Sequence, residues 1–351
     1  MKKLVIIGAN DFQNQLILKA KSLGYETHVF AWEEGAVGKS TADYFYPISI
    51  VEKEEILDKC KQIKPDGVCS IASDLASITV NYVAENLGLP CNKMKYSAIQ
   101  TNKYKMREAF MAAGLPCPKF VLADENFDES QVKDFKFPII VKPTDRSGSR
   151  NIMKLESTDG LLKAIKEACE TSFEKKAIVE EYLEGNEYSM ETISSNGVHH
   201  FLATTKKYTT GAPHFIETAH KQPSDLDALH IENSAGHSEF KVDSNGNIHI
   251  IEIGARMGGD CIGSDLVYLS TGNDFIKMVI DVACANELEF AENPTHKEVQ
   301  IHFMFTQEDL DKLEEIKKNN PECLYRVSDI EYENIGNVKD SGTRLGYYIT
   351  V

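Results

Sequence analysis

The run His249-Ile250-Ile251-Glu252-Ile253-Gly254-Ala255-Arg256-Met257-Gly258-Gly259-Asp260 holds the densest chemistry in the chain. A β-branched apolar strand there delivers a carboxylate, and then a guanidinium, to a glycine-rich turn. A carboxylate at a strand end suits Mg²⁺, a hard cation that takes one or two carboxylates together with nucleotide phosphates and water. A second carboxylate is close by. Glu239 lies in the strand pattern Ser238-Glu239-Phe240-Lys241-Val242, and the turn Asp243-Ser244-Asn245-Gly246-Asn247 should fold it back onto residues 248–253 as a hairpin. Glu239 and Glu252 on adjoining strands would then face one metal cluster, with Arg256 beside it to meet a second anion. Read alone, the segment also fits an ordinary hairpin with exposed acids and a surface arginine; the rest of the chain weighs against that.

Further basic groups sit where a polyphosphate would need them. Pro138-Ile139-Ile140-Val141-Lys142-Pro143 sets Lys142 at the end of a strand, directly before the loop Asp145-Arg146-Ser147-Gly148-Ser149-Arg150-Asn151. A loop rich in glycine and serine can fold its backbone N–H groups over phosphates, although its order is not the GxxxxGK[ST] of a P-loop. Lys103 and Lys142 can each give one point charge to a phosphate. A lysine on an arbitrary helix is usually solvated surface, so Lys103 gains meaning only in company. The stretch Ala177-Ile178-Val179-Glu180-Glu181-Tyr182-Leu183-Glu184-Gly185-Asn186-Glu187-Tyr188-Ser189 ends one strand, crosses a short turn and begins another. Main-chain groups exposed at such a crossing can read an adenine edge, and a carboxylate just beyond can accept both ribose hydroxyls; the plainer reading is an acidic turn.

These residues need a scaffold, and the hydrophobic periodicity outlines one. Residues 4–8 form a buried-strand pattern, then Asn10 caps a helix that ends at Gly24, and 26–31 is the next strand. With a helix over 53–62, a strand within 63–73 and a helix from Asp74 to Leu87 closed by Gly88-Leu89-Pro90, this opening is doubly wound α/β. Gly8-Ala9-Asn10 is not the GxGxxG dinucleotide fingerprint. A new unit begins near Thr101 with a helix stopped by Gly114-Leu115-Pro116. It continues with a strand at 137–142, a helix at 158–169, and strands at 177–182 and 187–193 turned by Asn196-Gly197. Residues 204–224 show little periodicity and two prolines, and are expected to be a long functional loop. A helical stretch reaches Ala285, and 299–351 alternates strand and helix.

Composition narrows the class. The 351 residues suffice for two or three domains with a sizeable core. A net charge of −16 opposes general nucleic-acid binding, which needs a basic surface. No apolar run approaches the roughly 20 residues of a membrane helix, and Met1-Lys2-Lys3-Leu4-Val5-Ile6-Ile7-Gly8 turns polar too early for a signal peptide. Cys60, Cys69, Cys91, Cys117, Cys169, Cys261, Cys284 and Cys323 show no CxxC pairing, which fits reduced thiols and opposes a zinc site or disulfide framework. The expectation is a cytoplasmic protein with no membrane and no nucleic-acid partner.

Lys103, Lys142 with its glycine loop, Glu180 to Glu187, Glu239, Glu252 and Arg256, in that order, resemble the ATP-grasp superfamily. The likeness runs to Ser341-Gly342-Thr343-Arg344-Leu345-Gly346-Tyr347-Tyr348, and is strongest to the carbamoyl-phosphate-synthetase-like and L-amino acid ligase branch, where HSEF and EIGARMGGD-type strings occur. The resemblance implies a mixed α/β and α+β ATP-grasp fold. It would comprise a doubly wound pre-ATP-grasp domain (1–100), an ATP-grasp A subdomain with linker helix and lid loop (101–185), a catalytic subdomain (186–290) and a C-terminal α+β lobe (291–351). It implies ATP with Mg²⁺ or Mn²⁺ as cofactors. Lys103 and Lys142 would contact phosphates under the loop of Ser147, Gly148 and Ser149. Glu180, Glu181, Tyr182 and Leu183 would read adenine, with Glu187 on the ribose. Glu239 and Glu252 would hold the metal, while Arg256, with Lys142, would serve catalysis by steadying an acyl phosphate. Glu217, His220, Arg256, Gly258 and Gly259 would face substrate, and Lys206, Lys207 and His214 are further candidates in the long loop. Many members have Asn where Gly254 stands, which puts a third protein ligand to the metal in doubt. The implied activity is ATP-dependent amide formation between a small carboxylate and an amine; a homodimer is compatible with it. The alternatives are a purine-pathway type ligase or carboxylase component, and a nucleotide-binding regulator without turnover.

Overall fold

In this computed structural model the described residues are 1–148, 150–209, 217–221, 232–295, 297–338 and 341–351, with only the backbone described at 209 and 217–221. Strands β1 (Lys3–Ile7), β2 (Glu26–Phe30), β3 (Tyr44–Tyr46) and β4 (Gly67–Cys69) form a parallel sheet in the order β3-β2-β1-β4. Leu4, Val5, Ile6 and Ile7 are wholly buried, as expected where helices cover both faces of a parallel strand. Each contributes about 1.5–3 kcal/mol of transfer free energy. The strand expected within 63–73 is confined to Gly67–Cys69, because Ser73 turns the chain. Its side chain accepts from the Ala76 N–H and caps the helix Asp74–Leu87. Asp74 is thereby fixed as the first residue of a helix at the carboxyl edge of the sheet.

The second sheet joins β5 (Phe120–Ala123), β6 (Ile139–Pro143), β7 (Met153–Leu155) and β8 (Ala177–Glu181) antiparallel in the order β5-β8-β6-β7. The helix Leu161–Thr171 buries Leu161, Ala164, Ile165 and Ala168 against it, one stripe at helical spacing. The helix expected from Thr101 onward is split. Ser97–Thr101 and Lys103–Ala112 meet at Asn102, which is extended and accepts from the Lys105 N–H as a cap. Lys103 is consequently the first residue of its helix, and its own N–H donates to the Thr144 carbonyl at 2.7 Å. One cap thus ties the helix start to the end of the Lys142 strand.

The third sheet has eight strands in the order β13-β12-β9-β10-β11-β14-β16-β15. They are β9 (Asn186–Ser195), β10 (Val198–Thr209), β11 (Glu217–Lys221), β12 (Ser234–Val242), β13 (Ile248–Gly254), β14 (Gln300–Met304), β15 (Leu324–Val327) and β16 (Gly346–Thr350). Asn196 and Gly197 both have positive φ, 51° and 75°, the geometry of a tight hairpin turn. The long loop expected over 204–224 is corrected here: residues through Thr209 continue β10, and Glu217–Lys221 pairs antiparallel with it, His220 opposite Lys207. Polar Thr204, Thr205, Lys206 and Lys207 carry no hydrophobic alternation, which hid the strand. Strands β14, β16 and β15 extend the same sheet beyond β11. Side chains two apart share a face, so Glu187, Ser189 and Glu191 of β9 lie with His237, Glu239 and Lys241 of β12. Further along that face Ile193 and Ala235 enter the core with the helix Phe275–Ala283. All eight cysteines are free thiols, and no helix among the described residues is long and apolar enough to cross a membrane.

Candidate active site

One cavity lies between the second and third sheets, and its walls gather most of the residues singled out in the sequence. It is lined by Lys103, Lys142, Ser147, Gly148, Glu180, Glu181, Tyr182, Leu183, Glu187, Glu239, Glu252 and Arg256. At its heart is the hairpin. Asp243 accepts from the backbone N–H groups of Asn245 and Asn247, which closes the turn, and Glu239 stands directly opposite Glu252 with a bulge just after Glu239. A bulge re-aims side chains. Each glutamate is matched to a lysine: Lys103 Nζ is 3.1 Å from Glu252, and Lys207 Nζ is 2.6 Å from Glu239 and 3.2 Å from Glu187. Burial would raise the Glu239 carboxyl, but Lys207 and His237 outweigh it and hold the group well below its ordinary value. The donor set suits Mg²⁺, with carboxylates on facing strands and space beside them for phosphate oxygens.

Lys142 is held in a buried triad. Its Nζ is 2.6 Å from Glu180 Oε1, while Arg107 donates to the same carboxylate through Nε at 2.9 Å and Nη2 at 3.3 Å. Desolvation pushes Glu180 upward; the two cations win and bring it to about 2. The Glu180 carboxylate is therefore committed to two cations, which leaves main-chain groups as the free features of the crossing at 181–183 expected to meet adenine. There the Tyr182 N–H already donates to Pro138, and the Leu183 carbonyl accepts from Lys241 Nζ at 2.9 Å. Lys241 also lies over the Tyr182 ring, 4.2 Å from its centroid.

Beyond the Glu239–Glu252 pair, Arg256 is bound to the N-terminal unit. Its Nε donates to Asp74 Oδ1 at 2.8 Å, and its Nη2 lies 3.5 Å from Oδ2. Burial would lower the Arg256 guanidinium, yet Asp74 raises it, so this charge is permanent. The pair also explains Gly254: a Cβ there would sit 3.3 Å from Asp74 Oδ1 and 3.4 Å from Arg256 Nε. A larger residue would press on the ion pair. Gly258 turns away from the cavity, its N–H donating to Glu191 Oε2 at 3.0 Å, and a Cβ on Gly259 would face Ala72. The glycine-rich loop is anchored at its start: Lys103 Nζ donates to the Arg146 carbonyl at 2.8 Å and the Arg146 guanidinium stacks over Phe173. Gly148 has φ +73° and open space around it, while Ser149 lies outside the described residues. The side chains of Glu217 and His220, and all of His214, also lie outside them. Lys207 is buried in the site, whereas Lys206 alternates to the other face beside Tyr208.

Asp74, Arg107, Glu191, His237 and Lys241 were given no role from sequence. The alternation His237, Glu239, Lys241 within a strand could have flagged two of them.

Comparison with known proteins places this arrangement. Residues 135–265 match the family model described as an ATP-grasp domain, a span that holds Lys142, Glu180, Glu239, Glu252 and Arg256. The chain has the ATP-grasp fold. An L-amino acid ligase structure from Bacillus licheniformis superposes with a TM-score of 0.79 at 20% identity, covering 100% of this chain and 93% of that one. An N5-carboxyaminoimidazole synthetase from Staphylococcus aureus, solved with ADP, gives a TM-score of 0.78 at 17% identity over 100% and 93%. In sequence the chain is similar to the alanine–anticapsin ligase of Bacillus subtilis, 28% identical over 297 residues, which spans 70% of this chain and 62% of that enzyme. The alignment thus covers less than two thirds of this relative's length.

Proposed function

We propose that the protein is an ATP-dependent carboxylate–amine ligase, which forms an amide through an acyl phosphate and releases ADP and phosphate. The observation that carries this reading is Glu239 opposite Glu252 in a cavity that Lys103, Lys142, Lys207 and Arg256 also line. The chemistry needs charge neutralisation above all, because a triphosphate and a carboxylate repel each other. Within the site the lysines are neutralised by Glu180, Glu187, Glu239 and Glu252; a triphosphate would take over the lysines. Mg²⁺, when bound, would be held by Glu239 and Glu252 and would supply positive charge between them and the phosphates. Lys103 and Lys142 then hold the phosphates, and Arg256 holds the carboxylate that becomes the acyl phosphate. No side-chain nucleophile is required. The loop over 145–151 excludes water from the activated acyl group.

A second cavity of about 550 Å³ offers a place for the other substrates. It shares Lys103, Arg146 and Glu252 with the first, and its remaining wall includes Asp74, Leu75, Ile78 and Phe173. Its apolar surface beside the carboxylates of Asp74, Asp145, Glu174 and Glu252 suits an amino acid, the acids facing its ammonium and the apolar wall its side chain. The free thiols accord with a cytoplasmic setting. The test is release of ADP from ATP in a screen of carboxylates and amines: release that needs both supports the reading, and release that needs neither opposes it.

A further inference from the structure

We propose that Glu191 and His237 are positioning residues, a buried tie that locks the turn carrying Arg256 to the metal-holding strand. The inference rests on the ligase reading for the roles of Arg256 and Glu239. Glu191 is wholly buried in the middle of β9. A buried carboxylate persists only where its oxygens are satisfied, and both are. Its Oε1 meets His237 Nδ1, and its Oε2 accepts the Gly258 N–H at 3.0 Å. His237 Nε2 in turn lies 3.2 Å from Glu239 Oε1. The chain of contacts therefore runs from Gly258, two residues beyond Arg256, through Glu191 and His237, to a proposed metal ligand.

Packing alone does not account for it. Ile193 and Ala235, the next cross-strand pair on the same face, fill their places with hydrocarbon. The two glycines of the turn also make sense as space-keepers. Gly254 stands opposite His237 across the strands and leaves the Asp74–Arg256 pair its room. A Cβ on Gly258 would lie 2.8 Å from both Glu191 Oε1 and His237 Nδ1, inside the tie itself. The Arg256 turn is thus seated on the Glu191–His237 pair, so the metal end and the acyl end of the site hold one fixed separation.

The test uses the full chain with Mn²⁺ and ADP as probes, Mn²⁺ affinity being read by electron paramagnetic resonance and turnover by ADP release. Glu191→Gln and His237→Ala should each weaken Mn²⁺ binding in the ADP complex, or slow turnover, by about 10–100-fold, the usual cost of losing a partner behind a metal ligand. Thermal melting checks that each variant is folded. His237→Asn keeps a donor where Nδ1 sits, and should recover most of what His237→Ala loses. Gly258→Ala should slow turnover too, and its effect should be strongly non-additive with Glu191→Ala, which removes the side chain its Cβ strikes. Folded Glu191→Gln and His237→Ala variants with wild-type Mn²⁺ affinity and turnover would overturn the tie, as would strictly additive effects of Gly258→Ala and Glu191→Ala. So would a His237→Asn variant that regains the melting temperature without the Mn²⁺ affinity or turnover. Failure of the wild type to bind Mn²⁺ with ADP, or to ligate anything, would strike the ligase reading instead.

Discussion

Arg107 offers the sharpest link between packing and site geometry. It is 1% exposed, and its guanidinium grips the carboxylate that also holds Lys142. In Arg107→Met the volume is kept but one of the two counter-charges is lost. Breaking a buried ion pair on one side typically costs about 3–5 kcal/mol; Lys142 still faces Glu180 at 2.6 Å, so the lower end, about 3 kcal/mol, is expected. The titration fixes the pH dependence. Glu180 is carried from 4.5 to about 2 by Arg107 and Lys142 together against desolvation, so the loss of Arg107 gives up part of a joint effect of roughly 3 kcal/mol at neutral pH. A depressed carboxyl pKa stabilises fully above the unfolded value and is lost as pH falls through the folded one. The deficit of Arg107→Met should therefore be full at pH 7 and should shrink as pH drops below about 4.5 toward 2. Urea unfolding at pH 7 and down to the lowest pH at which both proteins stay native measures it. A deficit under about 0.5 kcal/mol at pH 7, the size of an ordinary surface substitution, would refute the argument. So would a deficit that stays constant as Glu180 is titrated.

Three further outcomes are expected. Glu252→Gln, and less severely Glu239→Gln, should abolish Mg²⁺-dependent ADP release while leaving the circular dichroism spectrum intact; wild-type turnover in both would remove them as metal ligands. Arg256→Lys should lose about 2.7–4 kcal/mol of transition-state stabilisation, since an ammonium cannot bridge two oxygens as a planar guanidinium does. Its ATP affinity by calorimetry should fall much less than its rate, and equal losses would place Arg256 at the nucleotide instead. Trypsin should cut after Arg150, which is exposed, faster than after Arg146, which is stacked on Phe173. An ATP analogue should slow the Arg150 cut, and equal rates with and without it would count against a lid.

Much of the site was legible because its signals are local. The Glu239 and Glu252 pairing follows from a five-residue turn between two alternating segments, and Lys142 is announced by the apolar strand before it. The end of the Asp74–Leu87 helix was marked by a Gly-Leu-Pro stop. What escaped depends on partners far apart in sequence. Asp74 meets Arg256, Arg107 meets Glu180, and Glu191 meets Gly258 only once three sheets are assembled. Burial of Lys207 was hidden for another reason: a strand that lines a polar cavity on one face carries polar residues there, so hydrophobic alternation fails at the place where function begins.

The most direct test of the central claim is to supply hydroxylamine as the amine, with MgATP and a panel of amino acids and other small carboxylates, and to assay hydroxamate and ADP together. The ligase account predicts hydroxamate in step with ADP for at least one carboxylate, and neither product above background with Glu252→Gln. ADP release without hydroxamate for every carboxylate tried, or release undiminished in Glu252→Gln, would contradict it.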